Sequence, residues 1–163
     1  MSILKTTVRA LSIFALASAA ACLSTDNNAP EAIPIENTTF ASTLGVNLSA
    51  STRTPNGAYY RDIVAGTGAV VATGDSISVR YTVWLANGTQ IDTNVGGTLP
   101  LLTFKLGVGS VIGGFDEGLL GVKVGTQRQL IIPPSLGYGP YDYGQIPGNS
   151  VLVFTIEVIS SKK

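Results

Sequence analysis

The chain has 163 residues, ten basic and ten acidic, with only 12% of positions charged. That length is a prior for one globular domain with short extras, and the charge balance leaves no electrostatic footprint for nucleic acid or an anionic membrane surface. Histidine is absent and cysteine occurs once, which removes Ser-His and Cys-His dyads, histidine metal sites, imidazole acid-base chemistry and any intrachain disulfide.

Residues 1–21 open with Lys5 and Arg9, continue as an apolar run over residues 10–21, and end in small residues before Cys22. This is the pattern of a secretory signal peptide, and a run of about a dozen apolar residues falls short of the roughly 20 that a spanning helix needs. Ala19-Ala20-Ala21-Cys22 resembles a bacterial lipobox, with Ala19 where leucine is usual. The resemblance implies that Cys22 is diacylated and becomes the mature N-terminus, a membrane anchor of more than one chain. The competing reading is ordinary signal cleavage that leaves Cys22 a free thiol. Lipidation is the favoured expectation, and it makes this a lipoprotein of the bacterial cell envelope with a periplasmic body.

Residues 22–55 consist largely of Ser, Thr, Asn, Ala and Pro, the composition of a polar tether that buries too little apolar surface to fold alone. Rapid amide exchange is therefore expected over residues 24–36. Phe40, Leu44 and Leu48 are spaced by four after Thr38 and Thr39, which allows one short amphipathic helix docked on the domain. No heptad pattern supports a dimerising arm. All 19 glycines fall from Gly45 onward, so the folded domain is expected over residues 56–163.

Within that domain Ile77, Val79, Tyr81, Val83 and Leu85 alternate with Ser78, Arg80, Thr82 and Trp84, the period of a strand with one buried face. Asn87-Gly88 follows, the dipeptide of a type I′ hairpin, so a partner strand is expected over residues 89–93. Residues 101–106, 127–132 and 151–159 read as further strands, the last rich in β-branched and aromatic side chains. Residues 114–120, with Asp116 and Glu117 near the start, form the one credible helix, about two turns long. Antiparallel strands with one short helix make an α+β domain.

Two motifs fail on inspection. Gly107-Val108-Gly109 starts like a dinucleotide loop, but Ile112 stands at the sixth position and no βαβ unit surrounds it. Asp116 and Glu117 are adjacent, so they leave a helix on different sides and cannot act as the paired carboxylates of a glycosidase.

Three stretches remain: VRYTVWLANGTQID at residues 79–92, FKLGVGSVIGGFDEGLLGVKVGTQRQLIIPPSLGYG at 104–139, and SVLVFTIEVI at 150–159. In order and spacing they resemble the FKBP-type peptidyl-prolyl cis-trans isomerases. The resemblance covers the chain from about residue 56 and implies a five- or six-stranded antiparallel sheet curled around one short helix. It places Tyr81, Asp92, Ile112 and Tyr138 as catalytic residues, and Ile91, Leu102, Val111, Phe115, Ile146 and Phe154 as the substrate-binding lining of a proline pocket. Phe115 stands where the family usually has tryptophan, and Ile91 and Leu102 replace two usual aromatics, so the pocket is apolar but less aromatic. The loop over residues 140–148, with Tyr141, Asp142 and Tyr143, matches only loosely.

The resemblance further implies isomerisation of Xaa-Pro bonds in secreted and envelope proteins, with proline-containing polypeptides as partners and macrolides of the family's inhibitor class as ligands. It implies no cofactor and no metal. Such chemistry needs no nucleophile, which accommodates a chain without histidine. The alternative is a non-catalytic module that holds proline-containing segments, as a membrane-tethered chaperone would.

Overall fold

A computed structural model describes residues 31–96 and 98–163; the signal and Cys22 lie outside the described residues. Seven antiparallel strands form one sheet: β1 (Thr52–Arg53), β2 (Tyr59–Val64), β3 (Ser76–Leu85), β4 (Gln90–Thr93), β5 (Leu102–Lys105), β6 (Gln127–Ile132) and β7 (Leu152–Lys162). The spatial order is β1-β2-β6-β7-β3-β4, with β5 also paired to β3. Strands β4 and β5 share one edge of β3, because β5 pairs with its first half and β4 with its second. The sole α-helix among the described residues is α1 (Gly113–Gly118). The α+β class agrees with the sequence reading. The strand count exceeds the expected five or six because β1 and β2 carry no alternating pattern to reveal them.

Strand β6 explains how the layers are built. Arg128, Gln129, Leu130, Ile131 and Ile132 are buried in succession, which a strand achieves only when both faces are covered. Leu130 and Ile132 join the main core with Ile77, Val79, Phe115, Leu119, Leu152 and Ile156. Ile131 faces the other way into a smaller cluster with Ile35 and Val151.

Helix α1 covers the first face at close range. A Cβ at Gly114 would lie 2.5 Å from Ile132 Cγ2, and one at Gly118 would lie 2.5 Å from Leu130 Cδ2. Glycines four apart form a flat stripe on a helix, so the helix gives up intrinsic propensity to settle against β6. Arg128, 5% exposed, fastens the same corner. Its guanidinium donates to Asp62 at 2.6 and 3.1 Å and to the Gly118 carbonyl at 2.6 Å, and lies 4.3 Å from the centre of the Tyr60 ring. The rejected glycine loop has a structural use: the N–H groups of Gly107 and Gly109 donate to the two carboxylate oxygens of Asp116 at 2.7 and 2.8 Å.

The second face is covered by residues 31–55, where composition suggested a tether. From Ile35 onward this segment is a strap laid over the sheet. Ile35 is 2% exposed, and Phe40, Val46 and Leu48 pack beside it. Ala41 N–H donates to the Ala86 carbonyl at 2.8 Å, the Leu44 carbonyl accepts from Gln129 Nε2 at 2.8 Å, and β1 joins the sheet beside β2. The amphipathic helix expected through Phe40, Leu44 and Leu48 does not form. Two single 3₁₀ turns, Ser42–Leu44 and Leu48–Ala50, stand in its place, separated by Gly45 at φ +58°. A left-handed residue at that point ends any right-handed helix.

The expected hairpin between β3 and β4 forms, but its turn differs. Gly88 N–H donates to the Leu85 carbonyl and Leu85 N–H to the Thr89 carbonyl, both at 2.9 Å, with Gly88 at φ +91° and Asn87 outside the left-handed region. Only one residue takes positive φ, as in a turn followed by a glycine bulge rather than type I′, and the register slips between Val83 and Trp84 accordingly.

Candidate active site

One cavity of about 450 Å³ opens where β3, β4, β5, α1 and the loop before β7 meet. Its floor comes from α1 and β7. Phe115 and Phe154 are 3% and 4% exposed, and their rings meet edge-to-face with centroids 4.9 Å apart. Phe104 supports Phe115 from behind in a second edge contact at 5.9 Å. Such pairs hold aromatic rings in fixed orientations, so the floor is rigid.

Val111 and Ile112 line the cavity from the segment entering α1, Leu102 from β5, and Ile91 from β4. Ile112 precedes the helix in extended conformation, with φ −60° and ψ 146°, and its carbonyl accepts the Phe115 N–H at 2.9 Å. Its own N–H is therefore not spent on the helical ladder. Ile146, 7% exposed, lines the cavity from the loop before β7.

The polar edge is carried by the β3–β4 hairpin. Tyr81 Oη donates to Asp92 Oδ2 at 2.5 Å, and Asp92 Oδ1 accepts the Thr93 N–H at 2.8 Å. Asp92 itself is exposed at the rim. Burial, then the hydrogen bond and the charge of Asp92, push the Tyr81 hydroxyl up to about 12. Tyr81 is thus a fixed neutral donor across the physiological range. Buried Asn94 sets the strand beneath: its Oδ1 accepts the Tyr81 N–H at 2.6 Å, and its Nδ2 donates to the Val79 and Pro100 carbonyls, both at 3.1 Å.

Tyr138 lies at the mouth with its hydroxyl also held up, first by burial and then by Tyr143 and Asp92. Its ring stacks on Tyr143, centroids 4.7 Å apart and planes within 16°.

All ten residues singled out from the sequence border this cavity: Tyr81, Asp92, Ile112, Tyr138, Ile91, Leu102, Val111, Phe115, Ile146 and Phe154. It also takes in Val83, Tyr143, Gly144 and Gln145, which sequence reasoning missed. Val83 shares the face of Tyr81 by strand alternation, a signal that was present. The tip at residues 143–145 had no periodicity to announce it.

Comparison with known proteins agrees with this geometry. Residues 68–159 match the family model described as FKBP-type peptidyl-prolyl cis-trans isomerase. The chain is 52% identical over 87 residues to FK506-binding protein 2 of Dictyostelium discoideum, covering 53% of this chain and 65% of that relative. It is 42% identical over 104 residues to an FK506-binding protein of Neisseria meningitidis serogroup B, covering 63% and 94%. Among solved structures, FkpA from Escherichia coli superposes with a TM-score of 0.63 at 34% identity, covering 69% of this chain and 52% of that one. The strap over residues 31–55 precedes the matched family region. With the family model spanning more than half of its length and the expected residues gathered on one cavity, the chain belongs to the FKBP-type peptidyl-prolyl cis-trans isomerase family.

Proposed function

We propose that this chain accelerates cis-trans isomerisation of Xaa-Pro bonds in proteins of the bacterial envelope, by binding the prolyl amide in the Phe115–Phe154 cavity and favouring its twisted form. The observation that carries this reading is the convergence of an aromatic floor and a hydrogen-bonded Tyr81–Asp92 edge on one cavity. Rotation about a prolyl amide is opposed by roughly 18 to 20 kcal/mol because twisting breaks C–N resonance. The planar amide is the more polar form, so stripping water from it in an apolar cavity favours the twisted state, which is differential binding of the transition state. Each tenfold of acceleration needs only about 1.4 kcal/mol. In this role Phe115 supports the pyrrolidine ring, the Ile112 N–H and the Tyr138 hydroxyl hold substrate carbonyls, and Tyr81 with Asp92 shapes the wall beside the twisting bond. No bond to substrate is made or broken. Macrolides of the kind named in its relatives would compete for the same apolar floor.

Cys22 as a lipid anchor completes the proposal and puts the isomerase at the membrane where secreted chains fold. Mass analysis of the native protein tests it: a diacylated Cys22, and release into the soluble fraction by Cys22→Ser, are expected, and an unmodified thiol overturns it. The isomerase reading is tested with proline-containing peptides on the full chain. Faster cis-trans relaxation that a family macrolide blocks is expected. Peptide binding without acceleration would point instead to a holding module using the same cavity.

A further inference from the structure

Strand β3 loses its neighbour in the middle of one edge. β5 pairs with it as far as Val79↔Leu102 and β4 from Thr82↔Thr93, so neither strand reaches Arg80 or Tyr81. Between the two pairings the chain leaves the sheet through a loop that exposes Val95 and Leu99. A gap in a ladder strands backbone donors and acceptors, which cost free energy when buried and unpaired.

Asn94 fills that gap. The residue is 8% exposed, and its amide stands where a passing strand would place a peptide group. Its Oδ1 accepts the Tyr81 N–H at 2.6 Å, and its Nδ2 donates to the Val79 carbonyl at 3.1 Å. The other Nδ2 donation goes to the Pro100 carbonyl at 3.1 Å, two residues before Leu102. The backbone of Asn94 is fixed as well: its N–H donates to the Tyr81 carbonyl at 3.0 Å, and its carbonyl accepts from Arg80 Nη1 at 2.8 Å. One planar amide, with both donors and its acceptor in use, thus joins three segments that each carry cavity wall. These are Tyr81 on β3, Ile91 and Asp92 on β4, and Leu102 at the start of β5. A hydroxyl side chain has a single donor and could not serve both carbonyls.

We propose that Asn94 is a positioning residue for the isomerase site, whose amide fixes the Tyr81–Asp92 edge relative to the Leu102 wall. This rests on the isomerase reading above. Asn94 does not border the cavity, so it acts on substrate only through the residues it holds. Such action is strong when geometry is tight, since a displacement of about 1 Å at a reacting site can cost roughly a hundredfold in rate.

The test measures kcat/KM per folded molecule on a proline-containing peptide, for the full-length wild type, Asn94→Ala, Asn94→Asp, Val95→Ala and Ile35→Ala. Asn94→Asp keeps an acceptor for Tyr81 but sets an oxygen against two carbonyls, so both donations are lost. Both Asn94 variants should lose roughly ten- to hundredfold. Their Tyr81 ionisation, followed by tyrosinate absorbance, should fall from about 12 towards the ordinary tyrosine range as the bond to Asp92 slackens. Val95→Ala, on the exposed side of the same loop, should behave as wild type. Ile35→Ala destabilises the fold away from the cavity and shows what lost stability alone does. Asn94 variants that match Ile35→Ala in activity per folded molecule overturn the proposal and leave the isomerase reading intact. Should neither Asn94 variant fold, the wild type decides: the Tyr81 amide, bonded to Asn94 Oδ1, should exchange as slowly as the paired amides of β3, and exchange at the rate of a free chain overturns the proposal. If the wild type binds the peptide without accelerating it, the isomerase reading fails by itself. The Tyr81 ionisation then makes the comparison, and an unchanged value in both Asn94 variants overturns the positioning role.

Discussion

Tyr81 Oη and Asp92 Oδ2 lie 2.5 Å apart across the β3–β4 hairpin, which puts an oriented carboxylate at the edge of an otherwise apolar cavity. Asp92 is exposed and makes its other bond to the adjacent Thr93 N–H, so the fold loses little without it. Asp92→Leu should leave the urea midpoint near wild type, within about 0.5 kcal/mol as for most surface changes. If the pair contributes about 1.4 to 3 kcal/mol to transition-state binding, kcat/KM falls by roughly ten- to 150-fold. Near-full activity in this variant would reduce Asp92 to a hairpin residue. Phe154→Ala is the opposite case: truncating a buried aromatic costs on the order of 3 to 5 kcal/mol of stability, so its urea midpoint should fall clearly, with activity lost through unfolding as well as through the missing floor.

The same pair has a pH signature. The Tyr81 proton is held more tightly in the folded chain than in the unfolded one, with ionisation raised from 10.0 to about 12. The stability this contributes is complete below about pH 10 and is lost as pH rises through about 12. Activity should therefore show no Tyr81 step near pH 10. Asp92→Asn removes the charge and leaves burial, so the step should move down towards the ordinary tyrosine range. Tyrosinate absorbance of wild type, Asp92→Asn and Tyr81→Phe isolates this one group. A Tyr81 transition at or below 10 in the wild type would refute the arrangement.

Much of the site was legible because its residues sit on elements with strong local signals. Tyr81 lies on an alternating strand, Phe115 follows a glycine pair, and Phe154 lies in a β-branched run. The strap was not legible. Ile35, Phe40, Val46 and Leu48 follow neither period 2 nor period 3.6, because a segment laid across a sheet changes direction at each turn and buries side chains where neighbours allow. Leu44 and Leu48 looked helical by spacing alone, and Gly45 between them decided otherwise. Strand β2 was missed for a related reason: its second half, Asp62, Ile63 and Val64, is exposed irrespective of alternation.

Gly114→Ala sets helix propensity against packing. Alanine gains about 1 kcal/mol of propensity over glycine in an exposed helix. Here its Cβ would meet three atoms of buried Ile132 at 2.5 to 2.7 Å, and overpacking a tight core costs about 1 to 3 kcal/mol. Packing wins, so the variant should be less stable than wild type. Because Phe115 is the next residue, its ring should shift and KM for proline peptides should rise as well. A more stable Gly114→Ala chain with unchanged KM would mean that α1 stands further from β6 than described.

Residues 31–55 read as a tether by composition and as part of the fold by packing, and one substitution separates these. Ile35 is 2% exposed against Ile131 and Val151, whereas Ile33, two residues earlier, is 60% exposed. Truncating a buried isoleucine to alanine costs about 2 to 5 kcal/mol, and truncating an exposed one costs within about 0.5 kcal/mol. Ile35→Ala should therefore lower the urea midpoint clearly, and Ile33→Ala should not. The Ile35 cluster shares no residue with the cavity, so Ile35→Ala should keep wild-type kcat/KM per folded molecule. The Ala41 amide, bonded to the Ala86 carbonyl at 2.8 Å, should be protected from hydrogen exchange in the wild type and lose protection in Ile35→Ala. If both isoleucine variants match wild type and Ala41 exchanges at the rate of a free chain, the strap is not part of the folded unit and the domain begins near residue 56.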